Sequence, residues 1–133
     1  MFGIFPTIPL KPELPLFRGF DDVFRMPQSR HTEVRREDIE RVDDLEIIAE
    51  SEESGVSIVR SHSKREFFIT GHLEYAPNTL DTEYRRDLGK RDDVEVPKYY
   101  YREDNPDKGP LVTWRSHANL LFMNWVSWVL GSE

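Results

Sequence analysis

Between Leu45 and Gly71 three strand-like segments follow one another with almost no chain between them: "LEIIAES" (45–51), "GVSIVRS" (55–61) and "REFFITG" (65–71). The connections "EESG" and "HSK" have the length and polarity of hairpin turns. Val56, Ile58 and Val59 give partial alternation of apolar and polar positions. The third segment is nearly all apolar, as a strand covered on both faces is. Such a strand needs helical layers on either side of its sheet. The chain offers two good helices for that task, so it reads as part of a larger α/β domain. There is no internal repeat and no clean linker, and residues 1–133 read as a single unit.

The helices are placed by period and punctuation. In "PNTLDTEYRRDLGKR", Leu80, Tyr84 and Leu88 fall at i, i+4 and i+8 on one face. Asn78 is the expected N-cap and Gly89 the expected residue just past the end. A second, apolar helix runs from about 117 to 130 and stops at Gly131. A short helix over 36–41 carries a thin stripe of Val34, Ile39 and Val42, with Thr32 as a possible cap. Pro6, Pro9, Pro12 and Pro15 forbid a helix near the start and favour extended backbone, so that segment reads as a connection. Gly19 with Asp21 and Asp22 marks a turn. Residues 91–110, with Pro97, Pro106 and Pro110, read as one long loop.

Composition narrows the function. The net charge is −7, which disfavours sequence-independent phosphate binding and hence nucleic acid. Arg35–Arg36 and Arg85–Arg86 sit among acids and read first as solvated helix faces. With no cysteine, the chain holds no disulfide, thiolate metal site or cysteine nucleophile of its own. The four histidines show no ligand spacing, so no metal is expected. The N-terminal stretch lacks the basic start of a signal peptide, and "ANLLFMNWVSWVL" is shorter than the roughly 20 residues that span a bilayer. The expectation is a soluble cytoplasmic protein with no membrane partner.

"FFITGHLEY" carries the chemistry. A strand ending in Gly71–His72 places a histidine at a sheet edge, where open α/β sheets bind their ligands. A histidine there can serve as general base, and Glu74 two residues on can hold its imidazole in one tautomer. The same three residues also fit a plain polar loop after a strand.

Six motifs, "RGFDDVF", "SRHTEVRREDIE", "LEIIAESEESGV", "TGHLEYAPNTL", "EYRRD" and "TWRSHANLLFMNW", occur in this order. Together they resemble the C-terminal portion of the homoserine O-acyltransferases of methionine biosynthesis, from about Phe2 to Trp125. The resemblance implies the C-terminal part of a class I glutamine amidotransferase-like domain, flavodoxin-like and three-layered. It implies acyl transfer from acetyl-CoA or succinyl-CoA, acetyl favoured, to the hydroxyl of L-homoserine. The family uses a Cys-His-Glu triad and a thioester intermediate, with acyl-CoA as co-substrate and no other cofactor.

By this resemblance His72 is the general base and Glu74 its orienter. Arg86 pairs with the homoserine carboxylate, for which a guanidinium is geometrically matched. Ser29 lies near the substrate. Glu83 sits one helical turn before Arg86 on the same face, a spacing from which it could contact the homoserine amine. Arg86 also fits a solvated helix charge, and His117 reads as a cap or packing residue. Gln28, Leu73 and Ala76 depart from the family pattern, which usually has His, Pro and an acid there. The family's cysteine would lie upstream of Met1. The expectation is therefore an isolated chain without activity, a non-catalytic module, or one half of an enzyme needing an N-terminal partner, with a homodimer also in view. A class I amidotransferase-like enzyme for another substrate is a third option.

Overall fold

The computed structural model describes residues 1–131. Its strands are β1 (Phe2–Pro9), β2 (Phe24–Ser29), β3 (Leu45–Ser51), β4 (Gly55–Ser61) and β5 (Phe67–Ile69). Its α-helices are α1 (Arg36–Glu40), α2 (Thr79–Leu88) and α3 (Arg115–Val129). The strands form one sheet in the order β2-β1-β3-β4-β5, with antiparallel pairing between each neighbour. Helices pack on this sheet, and the expected α/β class holds. Among the described residues no helix is long and apolar enough to cross a membrane.

The hairpins expected between 45 and 71 form, but the strand covered on both faces is β4, not the third segment. Val56, Ser57, Ile58 and Val59 are buried in succession. Because successive side chains point to opposite faces, Ile58 joins one core and Val59 the other. Ile58 packs with Phe24, Met26, Ile48, Leu73 and Leu121, under α3. Val59 packs with Ile47 and Val56, against Ile39 of α1. β5 is a three-residue strand at the end of the sheet, and Phe68 is 50% exposed. Its apolar run reflects residues that line an open edge rather than a double layer.

The proline-rich start is the larger correction. Pro6 and Pro9 lie in β1, an interior strand of the sheet, while Pro12 and Pro15 fall in the connection that follows it. The prolines fit because of where their missing N–H groups would point. Ile4 N–H points away from β2 and donates to the Lys98 carbonyl at 2.8 Å. Pro6, two residues on, presents its nitrogen to that same edge, short of the pairing with β3 that begins at Ile8. Pro27 of β2 sits opposite Ile4, so its nitrogen also points out of the β1–β2 ladder. β2 was not expected either, since its "FRMPQS" holds a proline and little alternation.

Helix ends differ in detail from their sequence signals. Arg35, not Thr32, occupies the N-cap of α1, and Asn78 caps α2 without a side-chain hydrogen bond. Gly89 follows α2 with a right-handed φ of −81°. Leu80 and Tyr84 are buried as the period requires, while Leu88 is exposed. α3 runs as expected, and His117 packs its ring on Phe20 and Phe24 and pairs with Asp21 at 3.5 Å. The loop over 91–110 contains two short 3-10 turns, Arg102–Asp104 and Pro106–Lys108. It clamps α2 from the side. The Tyr100 hydroxyl donates to the Pro77 carbonyl at 2.5 Å, and the Tyr101 hydroxyl to Asp81 Oδ1 at 2.5 Å.

The segment after β5 then folds back onto β2. His72 N–H donates to the Pro27 carbonyl at 2.8 Å. Gly71 makes this approach possible: a Cβ there would lie 2.5 Å from the Met26 side chain and 2.6 Å from the Pro27 oxygen.

Two stability predictions follow from these contacts. Gly71→Ala should destabilise the chain by about 1–3 kcal/mol through overpacking, seen as a lower urea midpoint; an unchanged midpoint would contradict the close approach. Burial holds the Tyr100 and Tyr101 phenols neutral above their usual range. The unfolded chain therefore loses these protons first, and stability should fall as pH rises above about 10. A urea midpoint flat from pH 9 to 12 would contradict it.

Candidate active site

The residues "GHLEY" form a tight turn. The His72 carbonyl accepts from Tyr75 N–H at 3.1 Å, which closes the four residues 72–75. Leu73, the first central residue, is buried in the core beneath α3 and anchors the turn. The leucine holds the turn by burial. His72 and Glu74 point outward from it. His72 Nδ1 and Glu74 Oε1 lie 2.9 Å apart. A carboxylate can only accept, so the Nδ1 proton faces Glu74 and the lone pair resides on Nε2. Among the described residues Nε2 has no hydrogen-bond partner. The His72 side chain is 37% exposed. The pair thus has the arrangement of a base held by its orienter.

A second cluster lies on α2 and the end of β2. Ser29 Oγ donates to Glu83 Oε2 at 2.8 Å, and the Tyr75 hydroxyl donates to Glu83 Oε1 at 3.2 Å. Each carboxylate oxygen keeps a free lone pair for a further donor. Burial, reinforced by the Glu83 charge, pushes the Tyr75 phenol up to about 12, so it remains a donor near neutrality. Arg86 is exposed at the next turn, and its Nε pairs with Asp87 Oδ1 at 3.1 Å. That contact leaves the terminal nitrogens of the guanidinium, which can grip a carboxylate in a fork, without a partner among the described residues.

Ser29, Glu83 and Arg86 line one cavity of about 360 Å³, together with Arg30, Asp87, Arg91, Asp93 and Glu95 among others. The five candidate residues therefore fall into two groups, His72–Glu74 and Ser29–Glu83–Arg86. His72 and Glu74 do not line that cavity.

Sequence reasoning assigned no role to Tyr75, Gln28, Arg30 or Trp114. Tyr75 bridges the two groups: its ring stacks on the His72 imidazole, with centroids 4.4 Å apart and planes 5° apart. Its place three residues after His72, at the far end of a turn, was a usable signal. Gln28 is fully buried and accepts from Arg30 Nε at 3.0 Å. Arg30 spends its other nitrogens on the carbonyls of Thr32 and Ser54, so it supports the wall of the cavity. Trp114 Nε1 donates to the Tyr75 carbonyl at 3.1 Å and ties the turn to the base of α3.

Comparison with known proteins identifies the family. A curated homoserine O-acetyltransferase of Bacteroides thetaiotaomicron is 58% identical over 133 residues, all of this chain and 44% of that protein. The one from Brevibacillus brevis is 54% identical over the same span, again 44% of its length. The chain thus spans less than half the length of the curated relatives it matches. The crystal structure of SMU.1228c shares the fold, with a TM-score of 0.62 at 12% identity, covering 97% of this chain and 52% of that one. The family model for homoserine O-succinyltransferase matches residues 1–133 from end to end, and the chain belongs to that family.

Proposed function

We propose that these 133 residues supply the base and the amino-acid-binding side of an acyltransferase that moves an acetyl or succinyl group from CoA to the hydroxyl of L-homoserine. The observation that carries this reading is the 2.9 Å contact of His72 Nδ1 with Glu74, which leaves Nε2 as a free base at the edge of the sheet. In the first half-reaction the base takes the proton of a thiol as it attacks the CoA thioester, and gives it to the CoA thiolate as the C–S bond breaks. In the second it takes the proton of the homoserine hydroxyl as that attacks the acyl-enzyme, and returns it to the departing enzyme thiolate. The chain has no cysteine, so the nucleophile is supplied from outside these residues. In this reading residues 1–133 are one unit of a larger class I glutamine amidotransferase-like domain, working in the cytoplasm within methionine biosynthesis.

The cavity beside Glu83 supports homoserine as the acceptor. Its lining carries guanidinium groups (Arg86, Arg91) and carboxylates (Glu83, Asp87, Asp93, Glu95) side by side. An α-amino acid at neutral pH bears one charge of each sign and matches such a lining. Arg86 takes the carboxylate, and Glu83, with a spare lone pair on each oxygen, takes the ammonium. Acetyl is favoured as the acyl group because the relatives at 53–58% identity are named for acetyl transfer.

The reading is tested in a chimera in which these residues replace the matching 133 residues of the Bacteroides thetaiotaomicron relative. The chimera should release CoA from acetyl-CoA in the presence of homoserine. Arg86→Lys should raise the homoserine KM about tenfold or more, since the bidentate grip is lost. In a ping-pong scheme kcat/KM for acetyl-CoA should stay unchanged. An unaltered homoserine KM would remove Arg86 from the substrate site.

A further inference from the structure

The two groups of the site are joined by one side chain, Tyr75. We infer that Tyr75 is a positioning residue for both half-sites: its ring sets the plane of the His72 imidazole, and its hydroxyl fixes Glu83 towards the cavity. The inference rests on the reading of His72 as base and Glu83 as the homoserine contact.

The stack comes first. The two rings are nearly parallel, with centroids 4.4 Å apart and planes 5° apart. Near-parallel stacking is one of the arrangements aromatic rings adopt at this separation. It is well suited to a cation over a tyrosine face. When His72 takes a proton from the nucleophile it becomes that cation. The ring then lies where the new charge is attracted, and the imidazole need not turn to meet it. Glu74 fixes the direction of one ring nitrogen; rotation about the line from Nδ1 to Glu74 would remain open. Tyr75 removes that freedom by covering one face of the ring.

The hydroxyl comes second. It donates to Glu83 Oε1 at 3.2 Å while Ser29 donates to Oε2 at 2.8 Å. The carboxylate is held at both oxygens, which fixes its plane. Burial and the Glu83 charge push the phenol up to about 12, so it stays protonated and donates near neutrality. The tyrosine itself is held at both ends of its backbone. Its N–H reaches the His72 carbonyl at 3.1 Å, and its carbonyl accepts from Trp114 Nε1 at 3.1 Å. A ring so anchored transmits little slack from one half-site to the other.

Two variants separate the roles. Tyr75→Phe keeps the ring and deletes the hydroxyl, whereas Tyr75→Leu deletes both. In the chimera Tyr75→Phe should raise the homoserine KM about tenfold and leave kcat within about twofold, since a lost charge-assisted hydrogen bond is a binding loss. Tyr75→Leu should show the same rise in KM and lower kcat by about tenfold as well, through a misaligned base. The NMR spectrum of the 133-residue chain gives a readout independent of turnover. The His72 ring protons should sit upfield in the parent and in Tyr75→Phe, and move downfield in Tyr75→Leu. Equal kinetic losses in the two variants, an unchanged homoserine KM in Tyr75→Phe, or a His72 ring shift indifferent to Tyr75→Leu would each overturn the inference. A chimera without turnover would count against the acyl-transfer reading, and the ring shift would then decide the positioning role by itself.

Discussion

One backbone hydrogen bond organises the site: His72 N–H to the Pro27 carbonyl, at 2.8 Å. It docks the turn that follows β5 onto β2, at the opposite end of the strand order. Pro27 is suited to this because its own N–H is missing and its position in the ladder leaves the carbonyl free for the turn. Gly71 allows the two backbones to meet, and Leu73 seals the turn into the core. Without this contact the histidine would trail from a three-residue edge strand. With it, His72 lies within reach of Tyr75, Tyr75 within reach of Glu83, and Glu83 within reach of Ser29 on the same β2 strand.

The helix α2 needs its own support, because Glu83 and Arg86 both ride on it. Leu80 and Tyr84 bury its inner face with Ile4, Tyr100, Tyr101 and Trp114. The tyrosines of the long loop then fasten its first turn through Pro77 and Asp81. Arg85, one residue from the candidate substrate arginine, pairs with Asp81 at 2.9 Å and with the Pro106 carbonyl at 3.0 Å. Adjacent arginines thus divide the work. Arg85 ties the helix to its loop, and Arg86 faces the cavity.

Much of this was legible in the sequence. The hairpins of β3, β4 and β5, the apolar face of α2 and the length of α3 follow from local period and turn residues. The His72–Glu74 pair follows from spacing, because residues two apart on a turn bring their side chains together. What was hidden depends on distant partners. β1 and β2 carry prolines that argue against strands until one knows which edge each nitrogen faces. The burial of β4 on two faces, rather than β5, is decided by strand order, which no local pattern records. Ser29 meets Glu83 only because the β2 edge and α2 converge; helical spacing from Arg86 pointed to Glu83, and the family resemblance pointed to Ser29. Tyr75 stood in plain view beside the pair, yet its role needs the three-dimensional stack.

The central claim is that His72 acts as a base on a thiol supplied from outside these residues. The most direct measurement is the pre-steady-state burst of CoA from acetyl-CoA in the chimera, without homoserine, before and after His72→Gln. The account predicts a burst whose rate falls about 10²- to 10⁴-fold in the variant, the usual contribution of a general base. A burst of unchanged rate in the variant would contradict it.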